Sequence, residues 1–455
     1  MLSQQQPTPV IWKQYSYFFT ENPMPSSRRT FCKTIGLSTI IPSVAFLTKP
    51  NPAAAHSNDV FFMHLDKETP ESDSYWKVVR NQFPLTRERA YFNTGGIGAS
   101  PYSVIAAVKN KMDELEEMGE VGRSDTIWTG IKTKAAHIFG CSPSELALTG
   151  CCTESMNIAA NGIPLKKGDE VLLTSHEHVG GALPWLGRQK RDGIVVKIFD
   201  PAMSAEETLE RLKRAVTRRT RVISVSHITC TTGAVLPVKQ ICAYARERNI
   251  RTVIDGAQVV GQIPIDVKDL GCDCYATSGH KWMLGPKRTG ILYVREELLP
   301  EIQPMVIGAY SDAWWSFEKG FEYHPTAQRY EYGTYNVPVM YGLGAAIDFL
   351  NVVGLENIKQ HGHRLVQSAI NELRNIPNVN VLTPHYPQDH ASILTVRLDN
   401  METSELQRYL AGEYRLRTRY VAEADLHALR ISVHVYNNKG EMVRFADGIR
   451  SAAKM

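Results

Sequence analysis

The sequence predicts an α/β fold with a large, mostly parallel seven-stranded sheet and a smaller α+β domain at the C-terminal end. Between residues 146 and 294, apolar runs of four or five residues alternate with helical stretches. The runs are continuous, which is typical of strands covered on both faces, and their alternation with helices is typical of parallel β-α-β units. After Arg295 long helices dominate, which indicates a second domain.

Seven apolar runs predict the strands of the large sheet: Leu146–Thr149, Glu170–Thr174, Val195–Phe199, Val222–Ser226, Thr252–Asp255, Cys274–Thr277 and Gly290–Val294. Helices are expected between them, as at Glu206–Val216 and Lys239–Arg248. Ligands of such sheets bind at the carboxyl ends of the strands. We expect a functional site there, because polar residues end or follow five of the strands: Thr153, His178, His227, Asp255 and Lys281.

The segment before the sheet predicts a short helix near Tyr75–Val79 and a strand-like start at Tyr91 that leads into a glycine-rich turn, Gly95–Gly98. Pro101 then opens a helix that runs to about Met118. The glycines either connect two elements or let backbone N–H groups approach a ligand carboxylate. Both interpretations stay open at this point.

The C-terminal part predicts ordered loops at Ala313–Trp315 and Arg329–Asn336. Helices are expected at 338–353 and 355–373, strands at Ser392–Val396 and Leu429–Val433 with a helix between them, and a final helix from Lys439. We assign residues 91–335 to the large α/β domain. Residues 56–90 and 336–455 are assigned to the small α+β domain.

Residues 1–55 are interpreted as an N-terminal extension with a signal peptide of the twin-arginine (Tat) type. Arg28 and Arg29 precede the uncharged apolar run 34–47, and three alanines at 53–55 offer a cleavage site. Cys32 stands where such signals more often carry leucine, and the alternative is an arginine pair before a core helix. The signal predicts export by the Tat machinery to the periplasm, and a cytoplasmic protein if it does not function.

Composition excludes several classes of function. The net charge of +4 over 455 residues, without a long basic run, gives no support for nucleic-acid binding. The mature region has no apolar run that could span a bilayer, so we expect no stable membrane anchor. The cysteine spacing resembles neither a disulfide framework nor a zinc site, so no metal is expected. An oxidising compartment would allow one or two disulfides.

Lys281 stands in the most informative turn, Ser278-Gly279-His280-Lys281-Trp282. Glycines on both sides allow close approach of the backbone to another molecule, and apolar neighbours favour the neutral, nucleophilic amine. Such a lysine can form a Schiff base with a carbonyl cofactor. The alternative is an ordinary solvated lysine.

A pyridine aldehyde phosphate would find its other partners in this sequence. The turn before the helix that begins near Cys152 and Thr153, with Ser278 and His280, offers donors for a phosphate, although Thr153 alone also fits a helix N-cap. Asp255 ends an apolar strand and suits a pyridinium nitrogen. His178 is a candidate to cover the ring, or a core histidine, and Arg430 lies in an apolar segment where it suits a substrate carboxylate.

Taken together, these motifs resemble the class V aminotransferase family of fold-type I pyridoxal 5'-phosphate (PLP) enzymes, over about residues 91–432. The resemblance implies Lys281 as the Schiff-base lysine and, with His178, the catalytic pair. It also implies a set of PLP ligands and a set of substrate-binding residues. The PLP ligands would be Cys152, Thr153, Asp255, Gln258, Ser278, His280 and Thr334, and the substrate residues would be Arg430, Asn93 and Gly95.

The stretch Glu331-Tyr332-Gly333-Thr334-Tyr335-Asn336 resembles the family's E-x-G-T-x-N loop. The threonine of that loop reaches the phosphate of the neighbouring subunit, which implies a homodimer with shared active sites. The resemblance also implies a small-molecule substrate, either an amino acid or a peptidyl amine.

The absence of one cysteine narrows the choice of branch within the family. Cysteine desulfurases carry a nucleophilic cysteine shortly before the carboxylate arginine, and residues 416–427 contain none. Other motifs resemble the isopenicillin N epimerase-like branch, which includes exported enzymes that tailor a siderophore. Epimerisation, transamination and elimination stay open. The alternatives are a cysteine desulfurase-like C–S lyase and a non-catalytic PLP-binding protein.

Overall fold

The computed structural model describes Leu65 and residues 68–455, so the predicted export signal with Arg28, Arg29 and Cys32 lies outside the described residues. The strands are β1 (Ala90–Tyr91), β2 (Leu146–Thr149), β3 (Glu170–Thr174), β4 (Val195–Phe199), β5 (Thr220–Ser226), β6 (Arg251–Asp255), β7 (Cys274–Ser278), β8 (Gly290–Val294), β9 (Asp312–Ser316), β10 (Gly320–Tyr323), β11 (Val379–Val381), β12 (Ile393–Leu398), β13 (Leu416–Arg417), β14 (Arg419–Val421) and β15 (Ala428–Ser432).

The helices of the same residues are α1 (Asp73–Arg80), α2 (Tyr102–Met118), α3 (Asp125–Phe139), α4 (Cys152–Gly162), α5 (Val179–Asp192), α6 (Ala205–Ala215), α7 (Val238–Arg246), α8 (Val267–Leu270), α9 (Val337–Val353), α10 (Leu355–Leu373), α11 (Thr403–Glu413) and α12 (Lys439–Ala452).

Helix starts follow local chemistry. Ser204 caps α6, because its side chain accepts a hydrogen bond from the Glu207 amide. Asn336 caps α9 in the same way by accepting from the Val339 amide, and Pro338 lies in the first turn, where a missing N–H group costs nothing.

The large sheet has the strand order β2-β8-β7-β6-β5-β3-β4. Only β8 runs antiparallel to its neighbours, so the predicted seven-stranded, mostly parallel sheet is confirmed, and the strand ends lie within two residues of the predicted ones. The expectation that both faces of every strand are covered is wrong for β4. This strand has a single neighbour at the sheet edge, and its Val195 and Ile198 are 38% and 61% exposed.

The four-stranded sheet has the order β11-β12-β15-β14 and is antiparallel. One face packs on α10 and α12 through a buried cluster that includes Leu394, Ile431 and Phe445. The other face meets the loop after β5, where Thr395 Oγ1 donates to the Thr231 carbonyl at 2.6 Å. The small sheet is therefore held against the carboxyl edge of the large one. The assignment of the domain boundaries stays a prediction.

The predicted loop at Ala313–Trp315 is wrong, because these residues belong to β9, which forms an antiparallel hairpin with β10. Gly320 follows the turn with a φ of +80°, a conformation that favours glycine. The side chains of Trp314 and Trp315 are exposed, so the strand lacks the buried face that would have marked it in the sequence.

Two further expectations concern cysteines and membranes. In the part of the chain that the structure describes, all seven cysteines from Cys141 to Cys274 are unpaired, and no disulfide is formed. No single helix of residues 68–455 is long and apolar enough to cross a bilayer; α9 and α10 reach that composition only as a pair bent by 74°.

Glu331 anchors the loop that leads to α9. Its carboxylate is fully buried and forms ion pairs with Lys132 at 2.7 Å and Arg123 at 2.8 Å. It also accepts from Trp128 Nε1 at 2.7 Å and from the Leu148 amide at 2.9 Å. A buried carboxylate with this many donors fixes the loop firmly to β2 and α3.

Candidate active site

The turn after β7 presents Lys281 to a pocket at the carboxyl edge of the large sheet. The Gly279 amide donates to the Thr289 carbonyl and the Gly285 amide to the Gly279 carbonyl, both at 2.8 Å, which closes the turn. Lys281 is 9% exposed, and its Nζ makes no hydrogen bond or ion pair within residues 68–455. An amine that is nearly buried and unpartnered is available for covalent chemistry.

The glycine-rich turn lies directly on the lysine turn. The Gly98 amide donates to the His280 carbonyl at 2.8 Å, and a methyl group on Gly98 would lie 2.0 Å from the Lys281 carbonyl oxygen. Only glycine fits at this approach. The turn is therefore more than a connection, because its backbone packs directly against the turn that carries Lys281.

Asp255 ends β6 and is 6% exposed. Its Oδ1 accepts from the Ala257 amide at 2.8 Å and from the Cys152 thiol at 3.3 Å. Burial raises the pKa of the Cys152 thiol well above its usual value, which keeps it a neutral donor. Oδ2 accepts a hydrogen bond from no described residue, and a methyl group on Gly181 would lie 3.3 Å from it. One carboxylate oxygen is thus free to bind a cation.

His178 is the N-cap of α5, where its Nδ1 accepts from the Gly180 amide at 3.0 Å. Nε2 therefore carries the proton of the neutral ring. Burial and the nearby Lys281 lower the pKa of His178, while Asp255 opposes them. His178 therefore caps α5 and also lies near Lys281 and Asp255. Because its pKa is lowered, it is a neutral imidazole at physiological pH.

The N-terminus of α4 forms an anion site. The Cys152 amide donates to Ser278 Oγ at 3.1 Å, and Cys151 gives no side-chain cap, so the Thr153 and Glu154 amides have no intrahelical acceptor. His280 adds a buried Nδ1 without a partner among the described residues. Burial, with the charge of Lys281, lowers the pKa of His280 to about 4.

Arg430 lies on β15 of the small sheet and is fully buried. Its Nη1 donates to the Cys230 carbonyl at 2.6 Å and its Nη2 contacts Asn93 Oδ1 at 3.5 Å, while Nε is buried and has no partner in the described chain. Burial lowers the pKa of Arg430 to about 10, so it stays a cation at neutral pH. A methyl group on Gly95 would lie 3.2 Å from Nη2, so Gly95 keeps space open beside the guanidinium.

Gln258 connects the glycine-rich turn to the turn that carries Lys281. Its Nε2 donates to the Gly95 carbonyl at 3.0 Å, and its Oε1 accepts from Trp282 Nε1 at 2.8 Å. An amide nitrogen has two hydrogens, so one remains for a ligand.

Two of the residues that the sequence indicated do not join the site. Thr334 is exposed, and no hydrogen bond joins it to the Lys281 turn within the described chain. His227, which the strand-end pattern included, belongs to the core. Its ring bonds Tyr275 OH at 3.0 Å, and burial lowers its pKa to about 4.

Sequence reasoning gave no role to Glu177, although it precedes His178. Its carboxylate accepts from Thr174 Oγ1 at 2.6 Å and from the Ser226 hydroxyl and amide at 2.7 and 3.1 Å. Burial, assisted by Asp255, outweighs these bonds and raises the pKa of Glu177 to about 7. A second, half-buried acid therefore lies near Asp255.

The unpartnered groups fit PLP. The helix terminus and His280 suit the phosphate, Asp255 Oδ2 suits the pyridinium nitrogen, and Lys281 suits the aldehyde. Each is a polar group that the protein itself leaves without a full set of partners, which is the pattern of a preformed ligand site.

Comparisons with known proteins agree with this fit. Residues 104–445 match the family model described as aminotransferase class-V. A probable cysteine desulfurase of Methanothermobacter thermautotrophicus is 27% identical over 395 residues, which cover 83% of this chain and 98% of that protein. Isopenicillin N epimerase of Amycolatopsis lactamdurans is 27% identical over 402 residues, with 83% and 99% covered.

A solved structure shares both fold and sequence similarity. It is a C-DES mutant with glycine covalently linked to the PLP cofactor, and it aligns with a TM-score of 0.75 and 27% identity over 82% of this chain and 98% of that one.

Glu177 predicts a pH-dependent stability. Its folded pKa of about 7 lies above the usual 4.5, so the folded state favours the protonated form, and this stabilisation is lost as the pH rises from about 4.5 through 7. Relative to Glu177→Gln, which does not titrate, the wild type should lose about 3 kcal/mol of unfolding free energy over that window, at 1.36 kcal/mol per pKa unit. Urea unfolding between pH 4.5 and 8 measures this. Glu207→Gln, at a surface pair with Arg211, is the matched control. A difference that stays constant with pH would show that Glu177 does not titrate there.

Proposed function

The chain belongs to the aminotransferase class-V family of PLP-dependent enzymes, and we propose that it acts at the α-carbon of an amino acid or peptidyl amine. The observation that carries the proposal is Lys281, a nearly buried amine without a partner in the described chain. Its charge and that of the half-satisfied Asp255 both act on the pKa of His178.

Each residue has one task in this proposal. Bound PLP supplies an electron sink for the bond broken at the α-carbon. Lys281 would hold the cofactor through its Nζ, and the same Nζ would take the α-proton of the substrate and return it. Asp255 keeps the pyridine nitrogen protonated, and His178 covers the ring as a neutral imidazole. Arg430 binds the α-carboxylate through its free Nε and Nη2.

The remaining ligands hold the cofactor in place. The α4 terminus with Cys152 and Thr153, together with Ser278 and His280, would bind the phosphate, and Gln258 would donate its remaining hydrogen to the ring hydroxyl. Asn93 and Gly95 shape the carboxylate end of the pocket.

An isopenicillin N epimerase-like reaction is favoured over cysteine desulfuration. Residues 416–427, shortly before Arg430, contain no cysteine, whereas a desulfurase carries its nucleophilic cysteine in such a segment. Cys230 does lie beside Arg430, but it is buried, and burial raises the pKa of its thiol, which makes it a poor nucleophile. The sequence similarity to a probable cysteine desulfurase keeps C–S cleavage as the second candidate. A non-catalytic role is disfavoured, because the unpartnered groups of a working site are all present.

Lys281→Ala tests the assignment. PLP-loaded wild type should show the visible absorption of covalently bound cofactor and convert amino acids to products that chiral chromatography and mass spectrometry identify. The variant should lose both, because it lacks the amine that would attach the cofactor. Lys239→Ala removes an exposed lysine paired with Asp269 and should change neither. Covalent absorption that persists in Lys281→Ala would refute the role of Lys281. Sulfide released from cysteine would instead favour the C–S lyase.

A homodimer with shared active sites is proposed from the position of Thr334. Glu331 fixes the loop through buried ion pairs, yet Thr334 is exposed, as expected for a residue that binds the phosphate of a partner subunit. Sedimentation should give twice the chain mass of 51.0 kDa. Thr334→Ala should keep that mass and weaken PLP binding about tenfold, the effect of one charge-assisted hydrogen bond. Thr129→Ala, at an exposed site on α3, is the control, and a monomer would contradict the proposal.

Export by the Tat machinery to the periplasm, with a role in tailoring a secondary metabolite or siderophore, is proposed from the paired arginines and the apolar run. Residues 1–55 fused to a reporter should direct its export only when the Tat machinery is present. The same fusion with Arg28 and Arg29 changed to lysine should stay inside the cell. Export that persists both without the Tat machinery and after the arginine substitutions, or no export at all, would remove the basis for a periplasmic role.

A further inference from the structure

A row of three side chains crosses the small sheet on the face that meets the active site. Thr395 on β12 lies opposite Arg430 on β15, and Arg430 lies opposite Arg419 on β14. Directly opposite residues in antiparallel strands project to the same face, with Cβ atoms about 4.5–5.5 Å apart. Since Thr395 and Arg430 both contact the loop after β5, Arg419 projects toward the same pocket one strand further out.

Two guanidinium groups on one face repel each other unless an anion is present. Arg419 forms an ion pair and a hydrogen bond with Glu423, whereas Arg430 has no carboxylate partner among the described residues. One positive charge is therefore left uncompensated at the pocket. Arg430 is fully buried, whereas the Arg419 side chain is 27% exposed, so Arg419 lies nearer the protein surface.

Electrostatic coupling places this ion pair within range of the catalytic groups. The charge of Arg419 contributes to lowering the pKa of His178, and the charge of Glu423 opposes it. Both charges also act on the pKa of the Cys230 thiol, beside Arg430. The pair thus lies close enough to His178 and Cys230 for its charges to act on their pKa values.

Glu423 sits at the start of a strained turn. Ala424, Asp425 and His427 have φ values of +54°, +55° and +44°, which non-glycine residues rarely adopt. The turn is held by a hydrogen bond between His427 Nε2 and Asp425 Oδ1 at 2.8 Å. A turn kept in a costly conformation indicates that the position of Glu423 matters.

We propose that Arg419 and Arg430 together bind two anionic groups of one substrate, which makes the substrate an amino acid with an anionic side chain. Arg430 takes the α-carboxylate and Arg419 the side-chain anion. In the free enzyme Glu423 pairs with Arg419, and the side-chain anion of the substrate displaces Glu423 when it binds. This inference rests on the proposed function and names its substrate class.

The arrangement discriminates by charge. An anionic side chain replaces Glu423 on Arg419 and gains charge-assisted hydrogen bonds, while a neutral side chain of the same shape leaves the internal pair in place and gains nothing. Glutamate and glutamine are such a matched pair. O-Phosphoserine tests whether a phosphate serves as well as a carboxylate.

Calorimetric titration of the PLP-loaded protein with these three amino acids tests the proposal. The wild type should bind glutamate or O-phosphoserine at least about tenfold more tightly than glutamine. Arg419→Gln should remove that preference, and Glu423→Gln should strengthen it, because the internal competitor is neutralised. Arg397→Gln, which removes an exposed arginine from β12 and changes the net charge equally, should leave it unchanged.

A tighter dissociation constant for glutamate identifies a carboxylate as the side-chain anion, and one for O-phosphoserine identifies a phosphate. Equal constants for all three ligands, no binding of any, or a preference that survives Arg419→Gln would overturn the proposal. The visible absorption of each variant separates this outcome from a failure of the proposed function: an intact PLP band with no charge preference refutes only the two-arginine site.

Discussion

The site depends on a buried carboxylate that the protein satisfies on one side only. Asp255 Oδ1 is held by the Ala257 amide and the Cys152 thiol, while Oδ2 accepts nothing from the described chain. A buried charge without a full set of partners is costly, and its cost falls when a cation binds. The end of β6 is therefore prepared for a protonated ring before any ligand arrives, and the neighbouring turns are arranged around that position.

The same principle links the other corners of the pocket. The uncapped terminus of α4, the unpartnered Nδ1 of His280 and the free Nε of Arg430 are three groups of the described chain whose cost an anionic ligand removes. Because such a ligand binds the folded state, it should also stabilise the fold. Binding and folding are therefore coupled at the edge where the two sheets meet.

The sequence was informative where chemistry is local. Strand ends such as Thr149, Asp255 and Val294 were predictable, because each closes a short apolar run, and Lys281 stood out because glycines and apolar residues surround it. The β9–β10 hairpin was not predicted, because its exposed side chains give no pattern of buried residues. The buried pairs of Glu331 join residues nearly 200 positions apart, and strand register alone makes Arg419 a neighbour of Arg430. Neither the ion pairs of Glu331 nor the pairing of Arg419 with Arg430 produces a local sequence pattern from which it could be predicted.

This division between local and long-range information corresponds to a division of labour in the fold. The large sheet supplies the groups that any PLP chemistry at an α-carbon requires, and they follow from strand ends. The edge strand β14 supplies Arg419, the group proposed to bind the substrate side chain, and its place beside Arg430 follows from the register with β15. A strand at the edge pairs on one side only, so its residues can change without disturbing the core. Substrate choice in this fold is thus placed where substitution costs the least stability.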